Sequence, residues 1–271
     1  MADEGVAVPR DDVVLPATRA LSAFIVPFLL VASVVLYGLP DDTGRLFAWT
    51  IKPAMTPMML GAVYLGGAYF FLQAFRATQW HTVKAGFVAV GTFASLMGVA
   101  TIVHWNRFNH SHVAFWLWAG LYLTTPFLVW AVWAVNRRRA DAAGPDELLV
   151  PPVARGALAA TGALAVMAGV FLFFFPHQAI DIWPWALTPL TSRVLGAIFL
   201  LGIAQLGVLS DARWSSARLM LRVQGFMMTL ILIAAARAHG NFDPSNPMTW
   251  LLLGGFAIAL VSAGALCVIL P

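Results

Sequence analysis

Charge is what this 271-residue chain has least of. Asp, Glu, Lys and Arg together make up only 10% of it, while 61% is hydrophobic and the mean hydropathy is +0.82. Soluble domains run near a quarter charged, so the composition is that of an integral membrane protein. Carboxylates are scarcer still. None occurs between Asp42 and Asp141, and after Glu147 only Asp181, Asp211 and Asp243 remain, all expected at span ends or in loops. Proton-driven pumps and many intramembrane enzymes use carboxylates buried where water is scarce, so a carboxylate-relay pump and a membrane aspartyl protease are excluded. The His-Glu-x-x-His helix of zinc proteases is missing too. Cys267 is the only cysteine, which rules out an intramolecular disulfide and a cysteine-rich metal site. The formal charge of +4 gives no nucleic-acid signal, because loops of membrane proteins collect basic residues for topological reasons. Arginine outnumbers lysine fourteen to two, a usage that fits a GC-rich bacterial genome and an inner-membrane location.

What is present is apolar runs. About 20 apolar residues cross a bilayer as a helix, and eight stretches qualify: 20–39, 54–75, 83–103, 112–135, 156–175, 189–209, 217–236 and 248–270. The expected fold is therefore an all-α bundle of eight transmembrane helices. Residues 1–19 are polar and lack a secretory signal's basic-then-apolar pattern. They are expected to form a disordered cytoplasmic tail, with residues 136–155 as a charged, proline-containing cytoplasmic linker. With the amino terminus inside, the inner segments hold eleven basic residues and the outer segments five: Arg45, Lys52, Arg107, Arg193 and Arg237. This bias favours both termini in the cytoplasm.

The chain also repeats itself. Trp49-x-x-x-Pro53 recurs as Trp185-x-x-x-Pro189, since 185 − 49 = 136. The same offset pairs Arg19 with Arg155, Pro40 with Pro176 and Gly66 with Gly202. Past a two-residue contraction between Phe75 and Trp214 the offset becomes 134, pairing Lys84 with Arg218, Phe108 with Phe242 and Trp116 with Trp250. An ordered series with one small gap reads as a tandem duplication, residues 20–135 and 156–271. Four spans per copy is an even number, so the two repeats are expected to be parallel, related by a pseudo-two-fold axis along the membrane normal. Gly61, Gly66, Gly67, Gly91, Gly98, Gly202, Gly225, Gly254 and Gly255 fall where small residues let helices approach closely.

The polar residues that remain gather at the expected outer face. His104 to His112 ends the third span and Arg237 to Pro244 the seventh, and the Trp-x-x-x-Pro segments precede the second and sixth. The candidate ligand-binding residues are Trp49, His104, Asn109, Trp183, Trp185, His239, Asn241 and Asp243, a pseudo-symmetric Trp/His/Asn ring. Each has an ordinary role as well. Tryptophan forms the interfacial belt, Pro53 and Pro189 suit a first helical turn, and Thr188 suits a cap. Arg218 and Arg222 share a helix face and suit snorkelling to headgroups. Arg237 stands against the charge bias, with Asp243 as its expected partner. His110-Ser111-His112 has a spacing that chelates copper or zinc, though a lone pair is a weak signal.

Three functions follow as expectations. The first is binding or transport of a small neutral or amphipathic ligand between the repeats at the outer face, with the lipid bilayer as surroundings. The second is a non-catalytic subunit or scaffold whose partners are other membrane subunits. The third is a redox protein holding haem or contacting quinone through His104, His239 or His177. No cofactor and no catalytic residue is fixed by the sequence.

Overall fold

A computed structural model describes residues 12–137 and 147–270. Most of the expected linker and residues 1–11 of the expected tail lie outside the described residues. Eight helices are long and apolar enough to cross a membrane, and no strand is formed among the described residues beyond two isolated bridges. The helices are α1 (Pro16–Ser33, continued by one wide turn to Gly38), α2 (Met55–Arg76), α3 (Lys84–Val103), α4 (Val113–Asn136), α5 (Pro152–Phe174), α6 (Pro189–Phe199, continued by tighter turns to Leu209), α7 (Trp214–Arg237) and α8 (Pro247–Ile269). This is the architecture of a multi-pass membrane protein.

The helices start where the sequence favours a start. Pro16, Pro152, Pro189 and Pro247 occupy first-turn positions, where a missing amide hydrogen costs nothing. Thr188 caps α6 in a reciprocal pair with Thr191. The tail differs from expectation. From Asp12 onward it is part of the fold, with the Val14 amide bonded to the Thr78 carbonyl at 3.0 Å and Thr18 buried in α1. Proline at the first turn lets the helix begin three residues before the polar Arg19, which the apolar pattern alone excluded.

Successive spans run in opposite directions, so Asp12, Arg137, Glu147 and Leu270 lie at one end of the bundle, here the terminal end. The loops before α2, α4, α6 and α8 meet at the opposite end. α2, α3, α6 and α7 form the middle. α1 packs on α2, α4 on α3, α5 on α6 and α8 on α7, while α2 crosses α7 and α3 crosses α6.

Bonds in the first half recur in the second. The bridges Val13–Gln79 and Leu149–Arg213 differ by 149 − 13 = 136 and 213 − 79 = 134. At the opposite end the Asn109 amide bonds the Ala48 carbonyl and the Asp243 amide bonds the Pro184 carbonyl, both at 2.9 Å, again 134 and 136 residues apart. Trp116 and Trp250 each donate from the indole to the carbonyl six residues before, His110 and Pro244.

Glycine lets α5 and α6 touch along their backbones. A Cβ on Gly169 would meet the Gly196 carbonyl at 2.8 Å, one on Gly196 the Gly169 carbonyl at 2.8 Å, and one on Gly202 the Gly162 carbonyl at 3.0 Å. Gly61 abuts the Tyr37 amide and Gly66 the Met227 side chain. Gly254 and Gly255 differ from the packing role expected of them, with open space beside both, because α8 lies on the outside and buries little of its surface.

Candidate functional site

The opposite end holds the eight residues of the candidate ring, and the fold uses most of them for packing. Trp49 sits among Phe47, Phe108 and Trp118, with ring centroids 5.2, 5.1 and 4.8 Å away. Trp185 packs edge-on against Trp183 and Phe242, both at 5.1 Å. All three tryptophans are buried. Two aromatic clusters, one in each half, thus hold the loops. Asn109 and Asp243 shape their own turns, accepting from Ser111 Oγ at 2.7 Å and Ser245 Oγ at 2.6 Å. The hydrogen bonds from Ser245 hold the Asp243 carboxyl below its ordinary range.

Several contacts of this end join the halves. Asn241 Oδ1 accepts from the Met55 amide at 3.0 Å and so caps α2. The Trp185 indole donates to Thr56 Oγ1 at 2.9 Å. Arg193 Nη1 donates to His104 Nε2 at 2.7 Å. Burial first, and then Arg193 and Arg107, push the His104 pKa down, so the ring is neutral and accepts. This occupies the nitrogen that an axial haem ligand would use. His239 is exposed and among the described residues reaches only the Ala236 carbonyl, at 3.3 Å. His112 caps α4 through Nδ1, and no group of three metal-ligating side chains occurs among the described residues. Arg237 does not meet Asp243. It donates to the Tyr37 carbonyl at 2.9 Å and lies over that ring, because α1 approaches α7 there.

A polar network at the terminal end went unread in the sequence. His81 is 2% exposed. Asp12 accepts its amide at 3.0 Å through Oδ1, and the other carboxylate oxygen holds Nδ1 of the ring. His81 Nε2 lies 3.0 Å from Ser215 Oγ and 3.5 Å from Glu147. Beside it Asp211 is gripped by Arg213 through Nε and Nη2, each at 2.8 Å, by Lys84 at 2.8 Å and by Ser216 at 2.7 Å. Burial opposes ionisation of Asp211, but these donors outweigh it and hold the carboxyl well below its usual range. The network ties the start of α1, the α2–α3 loop, the linker and the start of α7 together. A signal was present: Trp80-His81 falls opposite Trp214-Ser215 in the repeat, which puts both polar partners at the same end.

A space able to hold a ligand lies between these ends. A cavity of about 530 Å³ is lined by side chains from all eight helices. Its walls are aliphatic and aromatic, with Met59, Met220, Met227 and Met228 among them, and its polar groups include the Tyr64 and Tyr122 hydroxyls, Gln205 and Gln224. Methionine is flexible and polarisable and adapts to irregular apolar shapes. The wall is not closed all round. α1 packs against α4, but the equivalent α5 and α8 scarcely touch, and the exposed Leu164, Leu251 and Ile258 stand at that gap.

No family model, curated protein or solved structure matches the chain.

Proposed function

We propose that this is a bacterial inner-membrane protein that binds a neutral or amphipathic, lipid-soluble ligand between its two halves and passes it to or from the bilayer. The cavity carries this reading. At about 530 Å³ it lies within the usual range of small-molecule sites, mostly apolar with a few polar groups. The gap between α5 and α8 gives a lateral path from the lipid. The ligand seat is thus the intramembrane cavity, with the packed Trp/His/Asn loops of the opposite end acting as its lid.

The rest of the account is proposed with it. The chain is a tandem duplication of a four-span unit, inserted with both termini in the cytoplasm. The recurring bridges and loop bonds at offsets of 136 and 134 support the duplication, and the basic residues at the terminal end support the orientation. A second reading, a subunit of a larger complex, is favoured by α8, whose Trp250, Val261 and Val268 are 64%, 70% and 82% exposed.

Substitution of one glycine tests the cavity reading. Gly255 lines the cavity and a side chain there meets nothing within 4 Å, whereas Gly254 has the same open space but does not line it. Native mass spectrometry of protein purified in mild detergent is expected to find an apolar molecule on the wild type and on Gly254→Trp, and to lose it in Gly255→Trp. Equal occupancy in both variants, or an empty wild type, would overturn the reading. A stable monomer with no co-purifying chain removes the subunit alternative.

A further inference from the structure

We infer that the cavity recognises a lipid-soluble molecule bearing a hydrogen-bond-accepting oxygen, of the ketone or quinone class, through the paired hydroxyls of Tyr64 and Tyr122. The inference rests on the cavity reading and adds the chemical class of the ligand.

Tyr64 and Tyr122 line the cavity from α2 and α4 and are 2% and 4% exposed. Their hydroxyl oxygens are 2.6 Å apart, and each bonds only to the other among the described residues. A phenol has one hydrogen to donate. Two phenols therefore bring two hydrogens, and the contact between them uses one. The other has no protein acceptor. An unused donor in an apolar interior is costly, and burying a polar group is tolerated where a partner is supplied. An acceptor on a bound molecule supplies it. A carbonyl suits better than a hydroxyl or a charged group. The pair already offers the donor, and no Asp, Glu, Lys or Arg lines the cavity among the described residues.

The position of the pair sets the direction of the ligand. By the repeat offsets Tyr64 corresponds to Leu200 and Tyr122 to Phe256 (64 + 136, 122 + 134), and both of these are apolar. The phenol pair therefore exists on the first-half side alone. The second-half side, which brings Thr161, Gln205, Gln224 and Ser262 among mostly apolar residues, adjoins the gap between α5 and α8. The oxygen end sits toward α2 and α4, and the hydrocarbon end points to the gap and the lipid beyond.

The test is a competition between a long-chain ketone and the alkane of equal carbon number. Both are offered to delipidated protein in detergent, and occupancy is read by native mass spectrometry. Wild type is expected to favour the ketone about five-fold, the worth of one neutral hydrogen bond. Tyr64→Phe and Tyr122→Phe are each expected to retain the preference, because either phenol left alone has its own hydrogen free. Tyr64→Phe/Tyr122→Phe is expected to lose it while still taking up alkane as the wild type does, which shows that its cavity is intact. Equal uptake of ketone and alkane by wild type, or a preference that persists in the double variant, would overturn the inference and leave the cavity reading standing. Uptake of neither would overturn both.

Discussion

Replacing Trp185 by Phe should destabilise the protein more than replacing Trp49 by Phe. The two residues open the two Trp-x-x-x-Pro segments and are buried to the same 4% exposure within similar edge-on aromatic clusters. They differ in one bond. The Trp185 indole donates to Thr56 Oγ1 at 2.9 Å across the halves, and the Trp49 indole nitrogen is buried with no partner among the described residues. Phe keeps a ring in each cluster and removes the indole nitrogen and part of the volume, so the packing losses are similar and cancel in the comparison. What remains is the bond. Its loss costs about 1 kcal/mol net, and it strands Thr56, which is 1% exposed. At Trp49 the same change deletes an unsatisfied donor, which is neutral or favourable. A gap of about 2 kcal/mol corresponds to roughly 4–8 °C in melting temperature for a chain of this size. Both variants should be melted in one detergent at one scan rate by tryptophan fluorescence. Adding Thr56→Val to Trp185→Phe should cost little more, since the pair is already broken. The reasoning is refuted if Trp49→Phe melts at or below Trp185→Phe, or if Thr56→Val adds its full cost to both.

Two further outcomes follow from the packing. Asp211→Asn should cost about 2 kcal/mol at neutral pH, because Arg213, Lys84 and Ser216 lose the carboxylate they share, while Arg213 keeps Glu147 at 3.5 Å. The folded carboxyl titrates below its unfolded range, so its contribution is fully present above about pH 4 and is lost as pH falls further. Wild type and Asp211→Asn melts, well apart at pH 7, should therefore converge in acid, and a constant separation would count against the ion network. Gly169→Ala should lower the melting temperature and Gly254→Ala should not, because the first drives a methyl into the Gly196 carbonyl and the second meets open space. Equal melting of the two would mean that α5 and α6 are not in backbone contact.

The eight spans were legible because a bilayer imposes a length and a composition that few other structures share. The expected 189–209 span is the one found, while α5 begins at Pro152 and α7 at Trp214, each slightly before the apolar run. Polar first turns carried them further than hydropathy alone could follow. The candidate ring was legible as a set of residue types and not as a geometry. Trp49, Trp183 and Trp185 turn inward on their own loops, and Asn241 and His104 are committed to Met55 and Arg193. Tryptophan at a span end signals both an interface and a packed loop, and sequence does not separate them. Asp12 and His81 were invisible for a different reason. They are 69 residues apart, one in a polar tail and one in a two-turn loop, and only the meeting of α1 with the α2–α3 connection joins them. The cavity left even less trace, since Met227, Phe93 and Leu201 read as ordinary span residues until eight helices surround one space.

Photolabelling tests the central claim most directly. A long-chain alkane carrying a diazirine should be irradiated with the detergent-purified protein, and the labelled peptides identified with and without excess unlabelled alkane. The account predicts competable label on the cavity walls, around Met227 on α7 and Phe93 on α3, which are lost in Gly255→Trp. Label confined to outward residues such as Val261 and Val268 of α8, undiminished by competitor, would contradict it.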